Sequence, residues 1–209
     1  MIARRLIVAL VAMVPTLFAL QADAGEEMRD GARKFVKGLA DQALDILKDN
    51  VPKTERDMRF RRIFADGFDV GAIGAFCLGK NWSKASDGER ARFLELFREF
   101  IVQTYSARLD AVYNGETFVL DKVRANGEDG AIVGSRFVPS APGSTPVRID
   151  WRVRRAGGDY RIIDVFVEGV SMALTQRDEF ASVIQRQGGM EGLFAALEEK
   201  IGKLQSGVE

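Results

Sequence analysis

The chain has 209 residues, 30 basic and 30 acidic side chains and no net charge, with 46% hydrophobic and 29% charged residues. That size and balance fit one ordinary domain and exclude a disordered chain, a collagen or a multispan membrane protein; the missing basic surplus argues against a nucleic-acid binder. With no histidine and one cysteine, Cys77, the chain has no His-based triad, no His-ligated metal, no internal disulfide and no thiolate cluster.

The first residues read as an address rather than a fold. Arg4 and Arg5 precede an uncharged apolar run, Leu6 to Leu20, and Ala22-Asp23-Ala24 places small residues around a cleavage point. The run is shorter than the roughly 20 residues a spanning helix needs. The three parts together predict a secretory signal peptide over 1–24, removed to leave one mature domain over 25–209.

Helical spacing comes next. Ala32, Phe35, Val36, Leu39, Ala43, Leu44, Ile46 and Leu47 recur at three- and four-residue intervals, predicting a helix from Met28 to Asn50, closed by Pro52. Thr54 to Asp57 resembles a cap for a second helix, through about Ala65. Asp69 is placed to cap a short apolar helix, Val70 to Leu78. Ser86-Asp87-Gly88-Glu89 has the capping-box pattern, so a long helix is expected to about Tyr113. Its apolar stripe is rich in aromatics: Phe93, Phe97, Phe100, Ile101, Tyr105 and Leu109.

Asn114-Gly115 then breaks the pattern, and the period changes to two. Glu116 to Val123, Ala131 to Val138, Val147 to Val153 and Tyr160 to Val167 read as strands. In the third, Val147, Ile149, Trp151 and Val153 alternate with Arg148, Asp150, Arg152 and Arg154, as in an antiparallel sheet covered on one face. Glu168 to Thr175 is expected to extend the sheet, with Val170, Met172 and Leu174 on one side. Two helices, about Arg177 to Gln187 and Met190 to Leu204, close the chain. The order predicts a single α+β domain.

The residues leave several chemistries open. Asp164 and Glu168 could pair as general acid and base; the alternative is that one bonds a turn and the other ends a strand. Ser171 does not lie in a G-x-S-x-G elbow, and Cys77 sits among apolar neighbours as a small core residue. A second possibility is a carrier of an apolar ligand. Phenylalanine supplies 14 aromatic side chains against 2 Trp and 3 Tyr, adding volume without polar handles. Such walls can fill a core or line a cavity, and composition alone does not separate the two.

Several local patterns together resemble the MlaC family, also called the toluene-tolerance family. Asp164-Val165-Phe166-Val167-Glu168-Gly169-Val170-Ser171, followed by Gln176-Arg177-Asp178-Glu179-Phe180, is similar to the family's D-x-x-x-E-G-V-S and Y-R-x-x-F, with Gln176 in place of the usual Tyr. Leu78-Gly79-Lys80-Asn81-Trp82 resembles L-G-x-x-W. Tyr105 to Leu109 with Tyr113-Asn114-Gly115 resembles Y-x-x-x-L and Y-x-G. Gly189-Met190-Glu191-Gly192-Leu193 resembles the start of the last helix. The similarity spans about 30–204.

The resemblance implies an antiparallel sheet of about four to five strands flanked by helices around a deep apolar pocket. It implies a periplasmic phospholipid carrier, the soluble component of an ABC-type lipid transport system, with no catalytic residues, cofactor or metal. Implied partners are an outer-membrane lipoprotein complex and an inner-membrane complex with MCE domains. A hopanoid-associated carrier of the same fold, or a secreted hydrolase, are the alternatives. The pocket walls are assigned to Phe97, Ile101, Tyr105 and Leu109 on the long helix, Ile149, Trp151 and Val153 on the third strand, and Val170, Met172 and Leu174 beyond the fourth.

Overall fold

A computed structural model describes residues 14–49, 51–112, 115–141 and 143–206, and side chains within 25–49, 51–106, 115–141 and 143–206. Helix α1 spans Val14–Lys48. It therefore runs back through the predicted cleavage point. α2 (Lys53–Gly67) follows Pro52 directly and has no side-chain cap, so Thr54 does not start it. α3 (Val70–Leu78) is capped by Asp69, which accepts from the Ala72 N–H at 2.9 Å. After a single 3-10 turn, Gly79–Asn81, the capping box forms as expected: Ser86 N–H donates to Glu89 at 2.8 Å and Glu89 N–H to Ser86 Oγ at 3.3 Å. α4 (Asp87–Val112) follows.

Strands β1 (Thr117–Ala125), β2 (Gly130–Val138), β3 (Val147–Ala156), β4 (Asp159–Val167) and β5 (Val170–Ser171) pair antiparallel in sequence order. Then come α5 (Met172–Arg186) and α6 (Met190–Ser206). The α+β reading holds, with one correction: the sheet does not continue to Thr175. Glu168 (φ 50°) and Gly169 (φ 82°) make a tight turn after β4, and β5 is only two residues long. Capping chemistry stops it. Ser171 Oγ accepts from Leu174 N–H at 3.0 Å, and Asp164 accepts from Ala173 N–H at 3.1 Å, so the chain turns helical at Met172.

The free edge of β4 is covered twice. β5 pairs with Phe166 and Val167, and a parallel bridge joins Phe68 to Ile162, with Asp69 N–H donating to Ile162 O at 2.9 Å. Two packed clusters follow from this layout. Helices α3 to α6 bury Phe93, Phe97, Phe100, Phe180, Phe194 and Leu197. The Met28-to-Val36 part of α1 lies on the inner face of the sheet, where Met28, Ala32 and Val36 meet Ala131, Val133, Val153 and Ile162. The approach is close: a Cβ on Gly31 would stand 1.9 Å from the Tyr160 hydroxyl. Any side chain there would force the Tyr160 ring or α1 itself to move.

Candidate functional site: an apolar cavity between α1, α2, α4 and the sheet

Between the two clusters lies a cavity of about 290 Å³. α1 supplies Val36, Leu39, Ala40, Ala43, Leu44 and Leu47, the same face repeating at three- and four-residue steps. α2 adds Phe60, Ile63 and Phe64, with Phe68 just beyond its end. The sheet floor is Phe137, Ile149, Trp151, Ile162, Val165 and Val167. α4 contributes Phe97, Ile101 and Tyr105, and α5 contributes Met172, Ala173 and Gln176.

Depth is graded along α4. Phe97 is 1% exposed and Tyr105, two turns on, is 38% exposed. Val36 and Ile162 are buried like Phe97, so the closed end lies near them and the mouth near Tyr105. Met172 and Gln176 border the same space from the first turns of α5, and both are half-buried.

The polar groups in the wall are mostly spent on the protein itself. Trp151 Nε1 donates to Ser135 Oγ at 2.9 Å, and that hydroxyl donates to Ile149 O at 2.9 Å, so the indole presents only carbon to the cavity. Ser106 donates to Asp57 across the α2–α4 contact. Asp164 accepts from Ser171 Oγ at 2.6 Å and from the Val165 and Ala173 N–H groups at 2.8 and 3.1 Å. Asp164 is thus a cap for α5. It is not paired with Glu168, which accepts from Arg148 N–H at 2.5 Å in the turn before β5. The two carboxylates therefore serve local structure separately, and Ser171 is held as a helix cap.

Cys77 donates weakly to Ala173 O at 3.5 Å; burial, with the Asp164 charge adding, pushes its thiol up to about 12, against the opposing pull of Arg177. Such a thiol stays protonated at neutral pH and is no nucleophile. Across the wall, Arg61 and Gln103 bond Glu99 and hold its carboxyl below the ordinary range. That ion pair ties α2 to α4. Among the described residues lining the cavity there is no lysine or arginine, and no group of three or more Cys, Asp or Glu side chains gathers to hold a metal. No helix of the described residues is long and apolar enough to cross a membrane.

The structure brings together Phe97, Ile101, Tyr105, Ile149, Trp151 and Met172 in this wall. It moves three other expected wall residues elsewhere. Val153 faces inward but is fully buried under α1, below the cavity floor. Val170 is 55% exposed, because β5 ends before it can be covered, and Leu174 is 48% exposed on the outward side of α5. The alternation that grouped Val170, Met172 and Leu174 fails because Met172 begins a helix. The Leu109 side chain lies outside the described residues. Sequence reasoning also missed the α1 and α2 walls; the signal was present in the Val36-to-Leu47 stripe, which reads equally as an ordinary core face.

Residues 37–199 match the sequence profile of the MlaC protein family. The chain belongs to the MlaC family. It is 26% identical over 159 residues to toluene tolerance protein ttg2D of Pseudomonas putida, covering 73% of each chain. It is 22% identical over 156 residues to the intermembrane phospholipid transport system binding protein MlaC of Haemophilus influenzae, covering 71% of this chain and 72% of that one. A phospholipid-binding protein from Ralstonia solanacearum, solved in complex with a phospholipid, superposes with a TM-score of 0.71 at 24% identity, over 83% of this chain and 98% of that chain. That likeness establishes a shared fold. The matched span 37–199 contains every described wall residue of the cavity except Val36.

Proposed function

We propose that this chain is a periplasmic phospholipid carrier of an intermembrane transport system, holding acyl chains in the cavity with the headgroup at the Tyr105 end. The observation that carries this reading is the cavity itself: an apolar, one-ended space inside a chain of the MlaC family. Two acyl chains hold about thirty methylenes, and exposing them to water costs roughly 24 kcal/mol at about 0.8 each. A lipid therefore needs cover between membranes. The cover must match a bilayer rather than surpass it, so that uptake and release both stay within reach. A wall of hydrocarbon with its polar atoms turned inward to the protein fits that requirement.

Secretion by a signal peptide over 1–24 is part of the proposal. Cleavage after Ala24 would keep Met28, Ala32 and Val36, which pack on the sheet, in the mature chain. An outer-membrane lipoprotein complex and an inner-membrane complex with MCE domains are the proposed partners. Carriage without catalysis accords with the Asp164, Glu168 and Ser171 contacts, each of which a cap or turn explains.

The test is native mass spectrometry of the mature protein purified from periplasm without detergent, followed by extraction of any bound lipid. A stoichiometric phospholipid adduct is expected. A hopanoid adduct would keep the carrier and change its cargo. Protein that emerges empty and refuses lipid from vesicles would overturn the proposal.

A further inference from the structure

The polar side chains that border the cavity differ in one respect. Asp164, Ser106 and Trp151 each direct their hydrogen bonds to protein groups. Gln176 does not. Its amide nitrogen makes a single exposed contact, to Glu179 at 3.2 Å on the same helix, and its amide oxygen accepts no bond among the described residues. It is half-buried, one turn beyond Met172, where the wall passes from carbon to solvent. A side-chain amide carries two donors and an acceptor and no charge.

We propose that Gln176 positions the cargo: its amide donates to an acceptor oxygen at the polar–apolar boundary of a bound phospholipid, an ester carbonyl or a phosphate oxygen. The inference rests on the carrier reading above. It also sets a specificity. The amide carries no charge, so this bond reads an oxygen and not the sign of the headgroup. Zwitterionic and anionic phospholipids are then held alike, and a lipid without a boundary acceptor is held less well.

The experiment loads the mature protein with phospholipid and follows release into excess vesicles of phosphatidylethanolamine and phosphatidylglycerol, with occupancy read by native mass spectrometry. Wild type, Gln176→Leu and Gln176→Glu are compared. Leu keeps the volume and removes all hydrogen bonding. Glu keeps the shape and polarity but cannot donate when ionised. Loss of the hydrogen bond is expected to speed release in Gln176→Leu about 2- to 10-fold for an ester carbonyl and more than about 10-fold for a phosphate oxygen, equally for both lipids, with an unchanged melting temperature. Gln176→Glu should release at least as fast.

A diether phospholipid separates the two acceptors. A variant effect that vanishes with it assigns the ester carbonyl, and one that persists assigns the phosphate; either supports the inference. Wild-type release rates in both variants would overturn it, as would an effect confined to one variant, which would mean packing (Leu alone tolerated or Glu alone tolerated). In each of those cases loaded wild type still upholds the carrier. A wild type that takes up no lipid would instead overturn the carrier reading on which the inference stands.

Discussion

The two packed regions of this molecule use the same kinds of residue to opposite ends. Around α5, the rings of Phe93 and Phe97 stack at 5.5 Å, and Phe180 meets them edge-on at 5.7 and 6.1 Å. Phe194 and Leu193 join the same buried cluster from α6. Between α1, α2 and the sheet, an equally apolar set of side chains leaves about 290 Å³ open. The difference is one of backbone placement. The Met28-to-Val36 part of α1 is pressed onto the sheet, while the Leu39-to-Leu47 part borders empty space and is met by α2 instead of by strands. Phe97 belongs to both regions: it stacks on Phe93 and also forms the closed end of the cavity. Hydrophobic side chains thus fill a core in one region and wall an open cavity in the other, with the first bracing the second.

The sharpest way to break the comparison is to shorten a ring in the filled region. Phe93 is fully buried and does not border the cavity. Phe93→Ala should cost about 3–5 kcal/mol, read as a large fall in denaturant midpoint, and lipid should be lost only as the fold is lost. A cost under about 1 kcal/mol would mean the helical cluster is not a filled core.

The hollow region should respond in the reverse order. Leu44→Ala should cost only about 1–2 kcal/mol, since part of the side chain already faces empty space. Placing a charge there is different in kind. Trp151→Glu should sharply lower lipid occupancy in native mass spectrometry, whereas Val170→Asp, at an exposed position outside the wall, should leave it normal. Equal occupancy in the two variants would dissolve the distinction.

A smaller effect is expected where the sheet hands over to α5. Ser171→Ala removes the cap and should cost about 1 kcal/mol in thermal or denaturant unfolding. The smallest concerns the brace between α2 and α4. Arg61 holds the Glu99 carboxyl below its ordinary 4.5, so the native state favours the ionised form. Its contribution is complete above that value and is lost as pH falls through the lower, folded-state value. Unfolding titrations should show wild type losing stability relative to Glu99→Gln below about pH 4.5, and the two running parallel between pH 6 and 8. A gap that widens toward alkaline pH would contradict this sign.

Much of this architecture was readable in residue order. The capping box at Ser86, the Asp69 cap and the β3 alternation are local signals, and the elements formed where those signals place them; the break at Asn114 lies outside the described residues. The stretch after Gly169 was misread because a period of two over Val170, Met172 and Leu174 competes with a serine cap. The cap prevails here because Asp164, brought close by β4, accepts the Ala173 N–H as well. That is a contact between separate elements, invisible to a local window.

Local chemistry, then, determined the class of fold, the absence of histidine chemistry and the family to which the motifs belong. Tertiary structure alone decided which apolar faces meet each other and which face a void. Val153 and Trp151 lie on the same side of one strand, yet one is sealed beneath α1 and the other lines the cavity. Periodicity reports the side of an element on which a residue stands. Whether that side is filled depends on the distance to the next backbone: Gly31 lets α1 close on Tyr160 at one end, while at the other α1 and α2 stand around an open cavity.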